Sequence, residues 1–295
     1  MRVCLYDLDM TSKRRAFPNL ALMKLSAYHK ARHDEVMELN FPIAQPNVAY
    51  GSCVFTWNKN KANGLMAQFG GSGIDILAKL PPEVEHIKPD YDLYPNPDCS
   101  MGYTSRGCIR DCPWCKVRIK EGYIQAWASP KEFYNPRFRR MLLLDNNILA
   151  SPNWRETVID LANLPVVVDF NQGLDIRCLN DENISYLRRI NTTKLRFAFD
   201  SMTYERSVRS GIEQLFKAGY AKSHLSFYVL VGFPSDDTAI ERMKMLQGYG
   251  VDVYPMIYKD DSGKEPQLNI NFTETIDFRG ARGNLAKFLR VVGRV

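Results

Sequence analysis

The feature that most constrains the fold is an alternation of apolar runs and amphipathic stretches over residues 101–260. Each apolar run is followed by a polar turn and then by a stretch with apolar residues at helical spacing. Strands that alternate with helices pair in parallel, so six of them predict a partial (β/α) barrel or a doubly wound sheet. The predicted strands are MGYTS, RRMLLLD, LPVVVDF, KLRFAFD, LSFYVLV and VDVYPMIY, and the predicted helices are NWRETVIDLANL, DENISYLRRI, RSVRSGIEQLFKAGY and DDTAIERMKMLQGYG.

Residues 1–80 predict a smaller α/β unit in front of this repeat. RVCLYDL, VMELNF and VAYGSCVFTW are predicted strands and LALMKLSAYHKARH is a predicted helix, an order that favours a small parallel sheet. FGGSGIDI lacks G-x-G-x-x-G, so no dinucleotide fingerprint is indicated. The proline-rich stretch 81–100 predicts an extended connection across the surface, and residues 261–295 a basic carboxyl-terminal extension.

Composition places the chain among globular proteins, with 45% hydrophobic and 24% charged residues. It has no run of 18 apolar residues and opens on a predicted strand, so we expect no membrane partner. Three of the seven cysteines lie within eight residues, which suits metal ligation and a reducing cytoplasm better than disulfides. The final stretch RGARGNLAKFLRVVGRV holds five basic residues and no acid, which predicts either phosphate or nucleic-acid contact or a solvated helix face.

The clustered cysteines are Cys108, Cys112 and Cys115, which stand at C-x3-C-x2-C spacing in GCIRDCPWC. The four histidines of the chain all lie far from this motif in sequence, which disfavours a closed four-ligand zinc site. Three thiolates can hold three irons of a four-iron cluster and leave the fourth iron free for a small molecule. The spacing therefore favours a four-iron four-sulfur cluster with one open iron.

The motif has Trp114 before its last cysteine, and it follows the first strand of the predicted partial barrel. In both respects it resembles the motif of the radical S-adenosylmethionine superfamily. The resemblance covers about residues 101–260 and implies a partial (β/α)6 barrel of TIM type, preceded by a shortened Rossmann-like α/β domain. It implies a cluster on Cys108, Cys112 and Cys115 whose open iron chelates the amino and carboxylate groups of S-adenosylmethionine. Electron transfer would then cleave the sulfonium bond to methionine and a 5'-deoxyadenosyl radical, which abstracts hydrogen from a substrate.

The resemblance also implies cofactor contacts at the second and third strand ends. Asp145, Asn146 and Asn147 occupy the position where the family usually binds the amino group of the cofactor, although the common Gly-Gly-Glu is absent. Gln172 and Asp175 follow the third strand. Each of these residues also has a simpler interpretation as a turn or helix cap.

Four further residues have implied cofactor roles. The guanidinium of Arg177 suits the carboxylate of the cofactor, and Asp200 is placed to hold ribose hydroxyls. Gly232 lets the backbone approach adenine without a side chain in the way. Trp114, between two predicted ligands, is expected to lie against the cluster and near the adenine.

The flanks TSRGCIRDCPWCKVRIKEG look like the branch that includes methylthiotransferases and enzymes with a cobalamin-type domain before the barrel. Cobalamin is not expected, because no D-x-H-x-x-G is present and about 80 residues is short for that domain. Methylthiotransferases hold a second cluster on three amino-terminal cysteines, for which Cys4, Cys53 and Cys99 are available. Cys4 and Cys53 lie in apolar predicted strands, however, where a thiol behaves as a small hydrophobe.

Two alternatives therefore stand beside the radical enzyme: a tRNA or nucleic-acid methylthiotransferase with a second cluster, and a non-enzymatic metal-binding module. For the radical enzyme we expect oxygen sensitivity and an electron donor such as flavodoxin or ferredoxin. Its substrate would be a small molecule, a nucleotide or a nucleic acid. Lys116, Arg118 and Lys120 follow the last cysteine and predict a basic rim that steers an acidic or phosphate-bearing substrate. Cys178 is predicted to be a structural thiol.

Overall fold

The computed structural model describes residues 1–10, 17–233 and 238–266, so most of the predicted carboxyl-terminal extension lies outside the described residues. The described part is a mixed α/β structure built on parallel sheets. The first sheet has four strands, β1 (Arg2–Asp7), β2 (Glu35–Val36), β3 (Val48–Ser52) and β4 (Gln68–Gly70). They pair in parallel in the order β2-β1-β3-β4, so their carboxyl ends share one edge.

The six strands predicted over residues 101–260 are confirmed. Two three-stranded parallel sheets contain them, and a short antiparallel pair, β6 and β7, follows the first strand. Isolated parallel bridges, Val168–Thr192 and Leu174–Phe197, link the two sheets. The sheet β5-β8-β9 and the sheet β10-β11-β12 are built from β5 (Ser100–Gly102), β8 (Arg140–Leu143), β9 (Val167–Phe170), β10 (Leu195–Ala198), β11 (Leu225–Val231) and β12 (Asp252–Ile257), and the antiparallel pair from β6 (Ser105–Arg106) and β7 (Gln125–Ala126).

Helices connect the parallel strands where the sequence predicts them. On α7 (Glu205–Lys217), Val208, Ile212 and Leu215 recur at helical spacing and are fully buried, as expected for a helix packed on a sheet. Among the described helices, none is long and apolar enough to span a bilayer. The α-helices are α1 (Leu20–Ala31), α2 (Pro82–Glu85), α3 (Val117–Glu121), α4 (Pro130–Phe133), α5 (Trp154–Ala162), α6 (Asp181–Leu187), α7 (Glu205–Lys217) and α8 (Ala239–Tyr249).

Two strand predictions in the first unit are too long. VMELNF overlaps β2 at Val36 alone, and VAYGSCVFTW leaves the sheet after β3. The cause at β3 is Asp9, whose carboxylate accepts the backbone N–H groups of Val54, at 2.5 Å, and Phe55, at 3.3 Å. A longer strand would have donated such groups to a neighbouring strand. The chain turns instead into a 3₁₀ helix, Thr56–Ala62.

The sequence predicts that the proline-rich stretch 81–100 crosses the surface, but the structure buries part of it. Tyr91 and Tyr94 are each only 3% exposed, and they pack in one apolar cluster with Leu5 of β1, Met101 of β5 and Leu142 of β8. Two aromatic rings bury a large apolar area, which outweighs the turn-forming preference of the prolines. The first sheet and the sheet β5-β8-β9 therefore share part of their core.

The hydroxyl of Tyr94 makes a buried polar contact in this shared core. It donates to the Asp7 carboxylate at 2.6 Å, and both side chains are buried. Burial raises the pKa of Asp7, although the bond from Tyr94 and backbone N–H groups act to lower it. Loss of that donor would leave the buried carboxylate under-satisfied.

We expect Tyr94→Phe to lower the free energy of unfolding by about 1–3 kcal/mol, because the apolar packing stays and one buried acceptor loses its donor. Urea denaturation followed by circular dichroism measures the change. Tyr123→Phe is the matched control, since Tyr123 is 72% exposed, and it should shift the free energy by less than about 0.5 kcal/mol. Equal effects of the two substitutions would contradict this account.

Candidate functional site at the cysteine loop

The three clustered cysteines lie on a loop between β6 and β7, here called the cysteine loop, residues 107–122. Gly107 opens it with φ +83°, and a Cβ there would lie 2.2 Å from the Tyr123 carbonyl oxygen. Only glycine fits such a position. The Cys108 N–H donates to the Gly122 carbonyl at 3.3 Å, which closes the base of the loop.

The thiols of the loop share one partly exposed neighbourhood. The Cys115 N–H donates to the Cys112 carbonyl at 2.9 Å in a tight turn. Burial raises the pKa of Cys115, and the nearby Cys112 and Cys108 thiols and the Asp200 carboxylate raise it further. As they stand, no three or more His, Cys, Asp or Glu side chains in the described ranges are arranged to hold a metal ion. The ligand role of these cysteines stays a prediction.

Polar groups that can donate hydrogen bonds lie near two of the sulfur atoms. The backbone N–H of Arg110 lies 3.3 Å from the Cys108 sulfur, and the side-chain Nδ2 of Asn147 lies 3.6 Å from it. The hydroxyl of Tyr204 lies 3.9 Å from the Cys112 sulfur. Such donors suit sulfurs that carry negative charge.

Asp175 ties the cysteine loop to the strand end that follows β9. Its carboxylate accepts from Arg110 Nε at 2.9 Å, Arg177 Nε at 2.6 Å and Asn147 Nδ2 at 3.3 Å. Burial alone would raise the pKa of Asp175, but the bonds from Arg177 and Arg110 hold it below its usual value. Burial likewise acts to lower the pKa of Arg177, and the bond and charge of Asp175 raise it overall. A charged carboxylate between two guanidiniums is therefore the stable form at neutral pH.

Tyr204 connects this ion network to the second cysteine, and sequence reasoning missed it. The Arg177 guanidinium lies 4.1 Å from the centre of the Tyr204 ring. Burial raises the pKa of Tyr204, and so does the neighbouring Cys112. Tyr204 ends the 3₁₀ helix Met202–Tyr204 after β10. Its position in DSMTY after a predicted strand was the available signal, but one tyrosine among 15 does not stand out.

Asn147 is the most informative of the predicted site residues. It is 1% exposed, and its Nδ2 is shared between the Cys108 sulfur and Asp175. Its Oδ1 is buried and has no hydrogen-bond partner within the described residues. A buried acceptor without a partner is costly, so this oxygen calls for a donor that the described residues do not supply.

Asp145 makes hydrogen bonds that stabilise the fold. Its buried carboxylate accepts from the hydroxyl and the N–H of Thr104, and from the same two groups of Ser105. Burial raises the pKa of Asp145, while these four donors act to lower it. The carboxylate thus fastens the end of β8 to the turn after β5, rather than facing an open space.

Asn146 leads to a second residue that sequence reasoning missed, Glu121. Asn146 Nδ2 donates to Glu121 Oε2 at 2.9 Å, and the Gly107 N–H donates to the same oxygen at 3.0 Å. The Glu121 side chain is 5% exposed and also pairs with Arg106 at 3.4 Å. Glu121 therefore holds both ends of the cysteine loop against the end of β8. Its signal in the sequence, a lone acid among basic residues in KVRIKEG, was weak.

Trp114 and Asp200, predicted from separate segments, are brought together. Burial raises the pKa of Asp200, and hydrogen bonds from the Leu230 N–H, at 3.0 Å, and from the Trp114 side chain act to lower it. The Trp114 ring also meets Phe233 at 5.5 Å, and Phe233 meets Tyr258 at 5.1 Å, both edge to face. An aromatic row thus runs from the cysteine loop to the chain after β12.

Two predicted residues show no contact of this kind. Gln172 is exposed after β9. Gly232 follows β11 with φ +79°, which fits its predicted freedom from a side chain. Cys178 lies 3.9 Å from Arg110 Nη2, next to the network, and burial raises its pKa to about 11.

The amino-terminal cysteines lie in apolar surroundings. Cys4 and Cys53 belong to one hydrophobic cluster, and Cys99 to another. Burial raises the pKa of Cys53 to about 11 and that of Cys99 to about 12. These thiols have the environment of small buried hydrophobes.

No protein-family model and no curated protein matches this chain. The proposal about function therefore rests on the chemistry of the site.

Asp175→Asn tests the ion network through pH. The lowered pKa means that folding favours the charged carboxylate, so its stabilisation is present above the unfolded value of about 3.9. It is lost as pH falls through the lower folded-state pKa. We expect the variant to be less stable by about 2 kcal/mol at pH 7, with the difference vanishing in acid.

Urea denaturation of both proteins over a series of pH values measures this difference. Asp92→Asn serves as the control, since Asp92 is 70% exposed and pairs with Arg137 at the surface; it should cost under about 1 kcal/mol. A wild-type advantage that grew on acidification would contradict a lowered pKa for Asp175.

Proposed function

We propose that this protein is a radical S-adenosylmethionine enzyme. The observation that carries the proposal is the environment of Asn147: its amide meets the Cys108 sulfur and Asp175 while its buried oxygen has no partner in the described structure. A site with thiols, fixed charges and one unmet acceptor suits a metal cluster together with a ligand that donates from an amino group.

Cys108, Cys112 and Cys115 would hold the cluster. The donor set fits, since soft thiolates select iron–sulfur clusters and N–H groups already point at the Cys108 sulfur. All three cysteines are partly exposed, so iron and sulfide can reach them. When bound, the cluster supplies the electron that cleaves S-adenosylmethionine to methionine and a 5'-deoxyadenosyl radical.

The protein groups around the loop have distinct tasks in this proposal. Asn147 Oδ1 accepts from the amino group of the cofactor, and Arg177 places positive charge for its carboxylate. Asp200, fixed by the Leu230 N–H and Trp114, accepts from a ribose hydroxyl. Asp175 keeps both guanidiniums in place, so the site is arranged before the cofactor arrives.

A partial (β/α)6 barrel is the architecture proposed for this chemistry. Two parallel three-stranded sheets joined by bridges between the β9 and β10 segments support it, as does the gathering of site residues after β8, β9, β10 and β11. Active sites of such barrels lie at the carboxyl ends of the strands. A cytoplasmic location, supported by seven free thiols, and an electron donor such as flavodoxin or ferredoxin complete the proposal.

The alternatives differ in metal content. A methylthiotransferase with a second cluster on Cys4, Cys53 and Cys99 would bind about eight irons per chain, against about four for a single cluster. The apolar surroundings of these cysteines, split between two clusters, do not favour it. A non-enzymatic module would bind metal without turning over S-adenosylmethionine.

The test is anaerobic reconstitution with iron and sulfide, followed by dithionite and S-adenosylmethionine. We expect about four irons per chain and formation of 5'-deoxyadenosine, detected by mass spectrometry. Cys112→Ala should abolish the product, whereas Cys178→Ala, which removes a thiol outside the motif, should retain it. A loaded cluster that yields no 5'-deoxyadenosine under any substrate tested would overturn the proposal.

Asn147→Ala isolates the cofactor contact. The substitution removes one acceptor for a charged amino group, together with the Nδ2 contacts to Cys108 and Asp175. We therefore expect the affinity for S-adenosylmethionine, expressed per loaded cluster, to fall about tenfold or more. Equilibrium dialysis of the reconstituted protein measures the affinity, and an iron assay on the same samples gives the loading. Asn163→Ala is the matched comparison, because Asn163 is an exposed asparagine at the end of α5, outside the site. An equal loss in both variants would show that the unpaired oxygen of Asn147 has no special role.

A further inference from the structure

We propose that an exposed aromatic pair beside the cysteine loop binds a single strand of nucleic acid, with an unpaired base stacked on its rings. The pair is Phe55 and Trp57, and the cations beside it are Lys59 and Lys259; together these four residues are the aromatic surface. The inference rests on the proposed function insofar as it names the substrate class of that enzyme. Its binding test, however, requires no radical chemistry.

The two rings are unusual in being large, stacked and open to solvent. Phe55 is 46% and Trp57 45% exposed, and their ring centres lie 4.7 Å apart at an angle of 15°. A preformed stack of aromatic rings extends naturally by one more planar ring, and every nucleobase offers such a face. The surface therefore fits a planar aromatic ligand.

The segment that carries the rings is held rigidly by Asp9. Its carboxylate accepts from the N–H groups of Val54 and Phe55 and from Asn58 Nδ2 at 2.9 Å. These three bonds fix the chain on both sides of the stacked pair. Little ordering remains to be done on binding, which favours affinity.

Charge selects an anionic ligand among planar ones. Residues 51–74 contain Lys59 and Lys61 and no Asp or Glu, and the whole chain carries a formal charge of +6. The acids nearby are Asp9, which is bound to the backbone of this segment, and three acids in the turn 259–265, which also holds two lysines. The Lys259 ammonium lies 5.5 Å from the centre of the Trp57 ring and pairs with Glu265 at 3.0 Å near the surface. Rings beside lysines suit bases beside phosphates, whereas an apolar peptide or an acyl chain would gain nothing from the lysines.

One turn of the chain connects the aromatic surface to the cysteine loop. Gly263 packs on Trp57 so closely that a Cβ there would lie 2.8 Å from the indole ring. Two residues earlier, Asp261 pairs with Lys116, which directly follows Cys115, at 3.3 Å. Since Tyr258 begins the aromatic row to Trp114, a strand stacked on the surface would lie beside the cysteine loop.

Stacking also distinguishes a single strand from a duplex. The bases of a duplex are already stacked on one another and offer no free face, whereas an unpaired base can lie on Phe55 and Trp57. The structure therefore points to single-stranded nucleic acid, not to a groove of double-stranded DNA or RNA.

The experiment is fluorescence anisotropy of the full chain with a labelled single-stranded RNA of about 12 nucleotides, a length suited to a single-strand site. We expect Trp57→Ala to weaken binding about tenfold or more through lost stacking. Lys59→Ala should reduce the slope of log affinity against log salt by about 0.7, the value for one phosphate contact on a single strand. Duplex RNA of the same sequence should bind more weakly than the single strand.

Two matched variants control for general effects. Phe41 is 50% exposed and follows β2, at the sheet edge opposite β4, and Lys217 is exposed on α7. Phe41→Ala and Lys217→Ala should leave binding unchanged. Equal binding by wild type and Trp57→Ala, or equal competition by heparin in both, would reduce the contact to charge alone and overturn the proposal. Binding that depends on Trp57 would stand even if no 5'-deoxyadenosine were formed.

Discussion

Parallel strand pairing is the constraint on which the rest of this structure depends. A parallel strand can be reached only after the chain has returned along the sheet, so the carboxyl ends of all paired strands share one edge. Each turn that leaves such an edge must satisfy its own backbone groups, and short polar residues do so. The same turns that fold the protein thus place Asn147, Asp175 and Asp200 near one another, although 53 residues separate the first from the last.

Strand pairing does not by itself position the cysteine loop, which belongs to no parallel sheet. Buried carboxylates supply that link. Asp175 binds Arg110 of the loop and so links the loop to the end of β9. Glu121 accepts from Gly107 in the loop and from Asn146 at the end of β8. Asp145 accepts from the turn that precedes the loop. Each carboxylate is buried but bonded to several donors, which is the condition under which burying a charge is tolerable.

The parts of this arrangement that follow a period were predictable, and those that depend on partners far along the chain were not. The six strands and four connecting helices after residue 101 follow from apolar spacing, and so does α1. The end of β3 could not be predicted from apolar spacing, nor could that of β2. At β3, Asp9 accepts N–H groups that a longer strand would have used, and an acid 45 residues away gives no signal in the local sequence. Glu121 and Tyr204 were missed for the same reason: their roles lie in contacts to Gly107 and Cys112, and their own neighbourhoods in sequence look ordinary. Asp145 was expected to face a ligand, yet its position at a strand end fits structural bonding equally well.

The aromatic surface results from a change of hydrogen-bond partners at the end of β3. If β3 had continued as the sequence predicts, residues 54–57 would have alternated between the two faces of a sheet. The rings of Phe55 and Trp57 would then have been buried or packed against neighbouring strands. Because Asp9 ends the strand, the following residues form the 3₁₀ helix Thr56–Ala62, and Phe55, directly before it, stacks on Trp57 with both rings open to solvent. The turn after β12 then packs on the indole and reaches Lys116. A single acid thereby decides that an exposed stacking surface lies next to the cysteine loop rather than within the core of the first sheet.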